Sequence, residues 1–321
     1  MSIASDTLAG LLVLNSKDLA DINVTDLLQD APLLQRLVAV PGSKGGIYHS
    51  YTVQDVAAGA EFRDVNTGIL NVAGQDTQVN VTCKYLDASF SRDVALADGY
   101  KTGRAGYMAR ETQRSLKSMM AGLEKQILQG ITADADGFVG FPAWTYTDTA
   151  YDTTMTVNAG GSGGRSVWLV RTGVDDVALV AGNDGIINFD FDPEQLIREF
   201  TVASATPADV RAYSALFANL GGWFGMQYGS KYSLGRIFNL SGATGSKLTD
   251  AYISQALVKF PAARPPNLIV MDRTSLGELQ QSRTATNPTG AEAPFPADVF
   301  GIPIVVSDQL KTDETALTTT T

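Results

Sequence analysis

Phe300-Gly-Ile-Pro-Ile-Val-Val-Ser-Asp308, close to the end of the chain, is the most informative stretch of the sequence. Its β-branched residues predict a strand. The proline within it predicts that this strand lies at the edge of a sheet, because proline cannot donate a hydrogen bond to a central ladder. Working back along the chain, Thr274–Arg283 predicts a helix, Leu268–Met271 a strand and Thr249–Phe260 a helix. The C-terminal half therefore has the pattern of a mixed α/β domain.

The composition is that of a folded chain with modest surface charge. Its 321 residues suffice for one large or two ordinary domains, with 44% hydrophobic and 18% charged residues. The 24 basic against 34 acidic side chains give a formal charge of −10, whereas proteins that grip nucleic acid usually carry a basic stripe. We therefore expect that the protein does not hold DNA tightly, even if it lies beside it.

The cysteine content and the hydropathy exclude several protein classes. A single cysteine, Cys83, rules out an intrachain disulfide framework and a cysteine-based zinc site. No apolar run approaches the ~18 residues of a membrane span, and the first residues lack the pattern of a signal peptide. We expect a soluble protein made inside the cell, with no membrane partner.

The N-terminal third predicts an arm followed by a β-ribbon. Residues 18–37 are rich in leucine but broken by Pro32, so we expect this arm to pack its apolar side chains on something else. Val79, Val81 and Cys83 then alternate with polar residues, which predicts a half-exposed strand with a small buried thiol. A partner strand around Tyr51 completes a ribbon with an open tip. Because an isolated hairpin is only marginally stable in water, the ribbon needs a neighbour.

Residues 102–129 predict the longest helix. Apolar residues recur every three or four positions, and Gly130 follows as a C-cap. The predicted apolar stripe consists of Ala105, Met108, Ala109, Thr112, Leu116, Met119, Met120, Leu123 and Ile127. The charged residues assigned mostly to the opposite face are Arg104, Arg110, Glu111, Arg114, Lys117 and Lys125.

Two further elements are predicted in the C-terminal half. Gly160-Gly-Ser-Gly-Gly164 predicts a flexible connector and a domain boundary. Val167–Val170 and Val177–Val180 then predict a hairpin, and Trp223-Phe224 beside Gly221-Gly222 predicts core packing around a tight turn.

No pattern in the sequence amounts to a convincing active site. His49 is the only histidine and has no obvious partner for nucleophilic catalysis. Asp190, Asp192 and Glu194 would share one face of an extended segment and could hold a hard cation, although such a pattern is more often a solvated acidic loop. A metal-dependent acidic α/β enzyme built on these three residues remains an alternative.

The order of elements resembles that of the major capsid proteins of tailed bacteriophages, which have the Hong Kong 97-type capsid fold. Ala60-Glu-Phe-Arg-Asp-Val65 is similar to the charged ribbon tip of such proteins, and residues 102–129 to their long spine helix. Gly137-Phe-Val-Gly-Phe141 is similar to the motif that follows that helix. The segments similar to the later strands are Ser166–Arg171, Gly235–Leu240, Met271–Arg273 and Phe300–Asp308.

The resemblance implies an α+β capsid fold with five parts. They are an N-terminal arm (1–45), an extended β-ribbon loop or E-loop (46–92), a peripheral (P) domain with the spine helix (93–165), an axial (A) domain with parts returning to the P domain (166–300), and a C-terminal strand and tail (301–321). It implies a structural subunit without catalytic activity or cofactor. Such subunits form the hexamers and pentamers of an icosahedral head that encloses double-stranded DNA in the virion, after assembly in the bacterial cytoplasm.

The resemblance also implies partners and contact residues. The partners are other copies of the chain, a portal, a possible cement or decoration protein and, because only about 45 residues precede the ribbon, a separate scaffolding protein. No lysine lies between Lys44 and Lys84, so we expect no lysine cross-link from the ribbon. The expected subunit-interface residues are Glu61, Arg63 and Asp64 at the ribbon tip and Arg104, Arg110, Arg114 and Lys117 on the spine helix. A second alternative of related fold is the shell subunit of an encapsulin-type nanocompartment.

Overall fold

A computed structural model of the chain describes residues 28–42, 47–56, 58–68, 73–144, 154–183, 188–202, 210–287 and 291–317. The first half of the predicted leucine-rich arm lies outside these residues. The described α-helices are α1 (Val94–Asp98), α2 (Gly103–Gln129), α3 (Asp250–Val258) and α4 (Arg273–Thr286). Single 3₁₀ turns lie at Leu33–Gln35, Gly130–Thr132 and Phe141–Ala143.

The described strands form two large sheets and a separate ribbon. The strands before Gly160 are β1 (Ala39–Pro41), β2 (Tyr48–Val56), β3 (Gln75–Thr82), β4 (Lys84–Asp87), β5 (Phe90–Asp93) and β6 (Thr156–Asn158). The strands after it are β7 (Gly163–Val170), β8 (Val177–Ala181), β9 (Asn188–Val202), β10 (Val210–Tyr228), β11 (Leu234–Leu240), β12 (Leu268–Met271), β13 (Asp298–Val299), β14 (Ile302–Val306) and β15 (Glu314–Thr315). The prediction of a flexible connector at 160–164 is wrong, because Gly163 and Gly164 begin β7, which lies in the same sheet as β6.

The long strand β10 organises the six-stranded sheet. It pairs antiparallel with β9 and then β8 along one edge and with β5 and then β4 along the other, and β1 adds to β8 in parallel. The ribbon is the antiparallel pair β2–β3, which ends at Thr82, so β4 and β5 belong to the sheet around β10. The ribbon therefore projects from strands that are themselves fixed in a sheet.

The seven-stranded sheet has the order β13-β14-β12-β7-β11-β6, with β15 also paired to β7. The proline-containing strand β14 was predicted as the edge strand but is the second strand from the edge, because the two-residue β13 pairs on its outer side, with Pro303 opposite Asp298. Alternation along β7 sends Trp168 and Val170 into one apolar core and Val167 and Leu169 into a second. One sheet thus separates the two cores, and α3 and α4 contribute apolar side chains to the second core.

Helix α2 carries the first core, with two departures from the predicted stripe. Met108, Leu116 and the later apolar positions are buried, but Ala105 and Ala109 are exposed, so the first turns of the helix do not join the core. Glu111, which the sequence placed with the charged face, is buried. Its carboxylate can be buried because two arginines pair with it, as described below.

The described end of the arm packs on its own chain. Leu28, Leu33, Leu34 and Leu37 are fully buried in the same core as α2. The expectation that the arm has to pack on another molecule is therefore wrong for residues 28–42. The reason is that α2 and the sheets offer an apolar surface that a sequence pattern for the arm alone does not reveal.

Two local predictions in the C-terminal half are also wrong. β7 and β8 do not form a hairpin but lie inside different sheets. Both strands are apolar along most of their length and are therefore central strands: β7 lies between β11 and β12, and β8 lies between β1 and β10. Gly221 and Gly222 lie within β10, opposite β4, and form no turn. At Gly221 the missing side chain leaves room for the Tyr85 ring, because a Cβ atom would lie 2.2 Å from the Tyr85 hydroxyl oxygen.

The motif after α2 closes the C-terminal end of that helix. Gly130 ends α2 with φ = 57°, as predicted for a C-cap. The Gln126 side-chain amide then donates to the Phe138 carbonyl at 2.7 Å. At Gly140 a Cβ atom would lie 2.5 Å from the Gln126 carbonyl oxygen and 2.6 Å from that of Ile127. The motif therefore needs glycine at position 140 because two backbones meet there.

A Gly140→Ala substitution tests this close contact. We expect it to lower the free energy of unfolding by about 1–3 kcal/mol, because helix backbone cannot move aside as a flexible side chain can. Gly277→Ala is the matched control, since an added Cβ atom there meets nothing within 4 Å and alanine favours the helix. Urea denaturation of both variants makes the comparison. Equal stability of the two would contradict the packing described here.

Candidate assembly surfaces

The ribbon is anchored at its root. The His49 ring nitrogen Nε2 lies 2.9 Å from the Gln227 side-chain oxygen, and the Tyr51 hydroxyl accepts a hydrogen bond from the Tyr228 N–H at 3.2 Å. Burial raises the pKa of Tyr51, and this backbone hydrogen bond only partly offsets it. His49 therefore holds the ribbon to β10 and has no catalytic partner among the described residues, which agrees with a structural role.

The root of the ribbon is also packed against the six-stranded sheet. Cys83, which directly follows β3, is buried close to Gly182 and Gly225, as predicted for a small buried thiol. Burial also raises the pKa of Cys83, so the thiol stays protonated and unreactive at neutral pH. The outer part of β3 is exposed from Gln75 to Gln78. The ribbon is thus fixed at one end and uncovered at the other.

The ribbon tip holds its own turn. Thr67 donates to the Asp64 carbonyl through its N–H at 3.2 Å and through its hydroxyl at 2.8 Å. The Arg63 guanidinium donates to the Thr67 carbonyl at 3.1 Å, and Asn66 adopts the left-handed conformation with φ = 65°. The predicted contact residues Glu61, Arg63 and Asp64 are all exposed. The turn therefore presents a charged and ordered surface.

Two apolar side chains at the tip were missed by the charge-based prediction. Phe62 has a relative exposure of 109% and Val65 of 89%. Bulky apolar residues in a loop rich in glycine, alanine, aspartate and asparagine were the available signal. Exposed apolar side chains grouped between charges are typical of contact surfaces.

The charged residues at the start of α2 have partners within the chain. Arg104 pairs with Asp98, with one contact at 2.8 Å, and the Arg110 guanidinium donates to the Tyr100 hydroxyl at 3.1 Å. The side-chain hydrogen bond from Arg104 lowers the pKa of Asp98. Lys117 is half-buried. These contacts fix the side chains at the surface, but the structure does not bring them together with the ribbon tip.

Glu111 is the buried member of this charged group. Its Oε2 atom accepts from Arg92 at 2.9 and 3.1 Å, and its Oε1 atom from Arg114 at 2.8 Å. Burial by itself raises the pKa of Glu111, but the hydrogen bonds and charges of the two arginines outweigh burial and leave the pKa lowered. Arg114, predicted as an interface residue, therefore also stabilises the fold.

A groove lies beside α2, between β4 and the loop that follows the helix. Its volume is about 250 Å³, whereas a cavity of about 150 Å³ already holds a benzene ring. Buried Leu123 and Phe138 contribute to its apolar lining, and Lys84, Lys125, Asp134 and Asp136 supply charge around it. The remaining lining residues are Tyr85, Leu86, Gly122, Gln126, Ala133 and Gly137. The groove therefore combines an apolar lining with charges of both signs.

The candidate cation residues lie on an extended segment, as predicted. Asp190, Asp192 and Glu194 fall within β9, and the ladder to β10 is interrupted between Asp190 and Gln195. Their side chains lie outside the described part of the structure. Among the residues whose side chains are described, no group of three metal-binding side chains occurs.

Comparison with models of protein families identifies the family of this chain. Residues 16–192, more than half of the chain, match the family model for Major capsid protein GP7. The chain belongs to this family. It is a major capsid protein, a structural component of the virion shell, and not an enzyme. The metal-dependent enzyme and the encapsulin-type subunit are therefore both disfavoured as alternatives.

Solved structures show the same fold at low sequence identity. A chain of bacteriophage epsilon15 has 16% identity and a TM-score of 0.57 and covers 86% of this chain and 87% of its own. The capsid of bacteriophage JBD30 has 14% identity and a TM-score of 0.52, with coverages of 92% and 94%. No curated protein sequence matches the chain. The predicted Hong Kong 97-type fold is thereby confirmed.

One further finding concerns membranes. None of the helices in the described ranges is long and apolar enough to cross a bilayer.

An Arg92→Ala substitution tests whether the buried Glu111 ion pairs stabilise the fold of this capsid protein. It leaves the buried Glu111 carboxylate with only Arg114, so we expect the free energy of unfolding to fall by roughly 2 kcal/mol, less than for a fully buried pair because Arg92 is partly exposed. Arg104→Ala is the control, because Arg104 and Asp98 are both exposed and such pairs contribute little. Thermal unfolding measures both, and an equal loss in the two would contradict the distinction.

Proposed function

We propose that copies of this capsid protein form hexamers and pentamers that close into an icosahedral head around double-stranded DNA. The observation that supports this most directly is the ribbon, whose tip exposes Phe62 and Val65. Removal of such side chains from water by a second copy favours association. Cyclic rings follow when one surface binds a different surface of the next copy and the rotation closes.

The groove beside α2 of a neighbouring copy is the proposed acceptor for the tip. Phe62 supplies an aromatic ring for its apolar lining. Glu61 and Asp64 match Lys84 and Lys125 in charge, and Arg63 matches Asp134 and Asp136. A surface with charges of both signs also fixes the register of docking, because a shifted tip would place like charges together.

The charged start of α2 is proposed as a second contact region. Arg104, Arg110 and Lys117 are held by or packed on their own chain, which lowers the entropy lost when another copy binds. The five predicted divisions of the chain, from the arm at 1–45 to the tail at 301–321, are likewise kept as a proposal. Two apolar cores that share one sheet support a two-domain body.

The acidic composition supports a container for DNA. With a formal charge of −10, the capsid protein offers few phosphate contacts that would trap the genome on its wall. The absence of lysine between Lys44 and Lys84 supports a shell held by non-covalent contacts or by a cement protein. A portal and a separate scaffolding protein are proposed on the family relationship alone.

Charge reversal at the tip tests the proposed contact. We expect Arg63→Glu to abolish shells and rings in negative-stain micrographs while the monomer keeps its melting temperature, because glutamate would face Asp134 and Asp136. Arg63→Lys keeps the charge and should assemble. Adding Asp136→Lys to Arg63→Glu restores an opposite pair and should recover assembly, whereas Asp136→Lys alone should weaken it.

Each result bears on a different part of the proposal. Normal shells from Arg63→Glu would exclude a role for the tip charge. Loss of assembly that Asp136→Lys does not recover would move the acceptor away from this groove. Failure of the unchanged protein to form rings or shells with its own phage's assembly proteins present would contradict the shell function.

A further inference from the structure

A buried carboxylate joins three distant parts of the chain. The Glu124 side chain on α2 has a relative exposure of 0%. Its Oε2 atom accepts from the backbone N–H of Leu33 at 2.8 Å and of Leu34 at 3.4 Å. Its Oε1 atom accepts from the Ser307 hydroxyl, just after β14. One side chain thus contacts the arm, the helix and the beginning of the C-terminal tail.

Ser307 and the residues that follow it make further hydrogen bonds to α2 and to β12. The Gln309 N–H donates to the Ser307 hydroxyl oxygen at 3.1 Å, and the Gln129 side-chain amide of α2 donates to the Gln309 carbonyl at 2.6 Å. The Ser307 N–H donates to the Met271 carbonyl in β12 at 3.0 Å. The tail therefore meets Glu124 through a chain of hydrogen bonds anchored in the sheet.

Among the described residues, the Glu124 carboxylate has no cationic partner. Burial raises the pKa of Glu124 to about 7, although the hydrogen bonds from Ser307, Leu33 and Leu34 each lower it. No charged side chain in the described ranges contributes to this shift. The described charged residues on the elements around it are Asp30 and Arg36 on the arm, Arg104, Arg110, Glu111, Arg114, Lys117 and Lys125 on α2, and Asp272, Arg273, Asp308 and Lys311 beside the strand ends and on the tail.

Several of these charged groups are engaged elsewhere. Asp272 accepts from the N–H groups of Thr274 and Ser275 at the start of α4. Arg273 and Asp308 form an exposed pair at 2.6 Å. Glu111 pairs with its two arginines, as described above. The ionisation of Glu124 is therefore governed by burial and by the arm and tail donors.

We propose that Glu124 is a proton-controlled latch, which holds the arm and the tail on α2 when it is protonated and loosens both when it ionises. The direction follows from linkage. When the arm leaves, water reaches the carboxyl group and its pKa returns towards 4.5. The docked state thus binds the proton more tightly, so docking is strongest below about pH 4.5 and the gain is lost as the pH rises to about 7.

Hydrogen exchange on the unassembled, full-length protein tests the latch, independently of shell formation. A carboxyl group whose pKa moves between about 7 and 4.5 changes the docking equilibrium by up to about 300-fold. We expect the protection factors of the amides around Leu33 and around Gln309 to fall together by up to that factor between pH 4.5 and 8. Those of β7 should stay constant.

Three variants make the test specific. Glu124→Gln keeps the shape without the titration, so its arm protection should not vary over this range. Glu111→Gln changes another buried glutamate of the same helix and should keep the wild-type profile. Ser307→Ala removes a hydrogen bond that lowers the pKa and should move the midpoint above 7. An unchanged pH profile in Glu124→Gln, an unmoved midpoint in Ser307→Ala, or arm and tail responding at different pH, would overturn the proposal.

Discussion

Burial of the apolar stripe of α2 is the constraint on which the rest of the structure depends. Leu116, Met120, Leu123 and Ile127 are fully buried, and the arm, the β10 sheet and one face of the seven-stranded sheet share their core. A helix of 27 residues measures about 40 Å, so elements far apart in sequence meet along it. Because the helix is covered from several sides from Met108 onwards, that part is fixed, and the groove beside it is held in place with it.

In contrast to the buried helix, the ribbon keeps apolar side chains exposed to water. Its root is tied to β10 by His49 and Tyr51, but its tip exposes Phe62 and Val65. An element that keeps apolar side chains in water has a reason to bind another molecule. In a family of shell proteins the most abundant partner is a second copy of the same chain, which is why we propose the next subunit as the partner of the ribbon.

Local periodicity predicted the elements that depend on it. The long helix and the alternating ribbon strand were predicted from spacing, and the glycine cap and the proline-containing strand near the sheet margin from residue type. The failures concern long-range pairing. Nothing in the local sequence of β7 and β8 indicates that they pair in different sheets. Gly221 was predicted to lie at a turn because the reason for glycine there, the Tyr85 ring opposite it, lies 136 positions earlier in the chain.

The contact residues were predictable only as charges. Glu61, Arg63 and Asp64 were identified by their place in a loop, but the importance of Phe62 depends on its exposure, which only the fold reveals. Arg114 was assigned to an interface from its place on the charged face of the helix. Its contact with buried Glu111, which also pairs with Arg92 from 19 positions earlier, is visible only in the fold. Glu124 went unnoticed, since a single glutamate near the end of a helical stripe gives no sign of partners 91 and 183 positions away.

A cryo-EM map of the assembled particle is the measurement we would make first. We expect density for residues 61–65 of one subunit in the groove between β4 and α2 of its neighbour, with the Phe62 ring against the accessible lining residues Tyr85 and Leu86. A tip that folds back on its own subunit, or that projects into solvent in every subunit, would contradict the proposed contact.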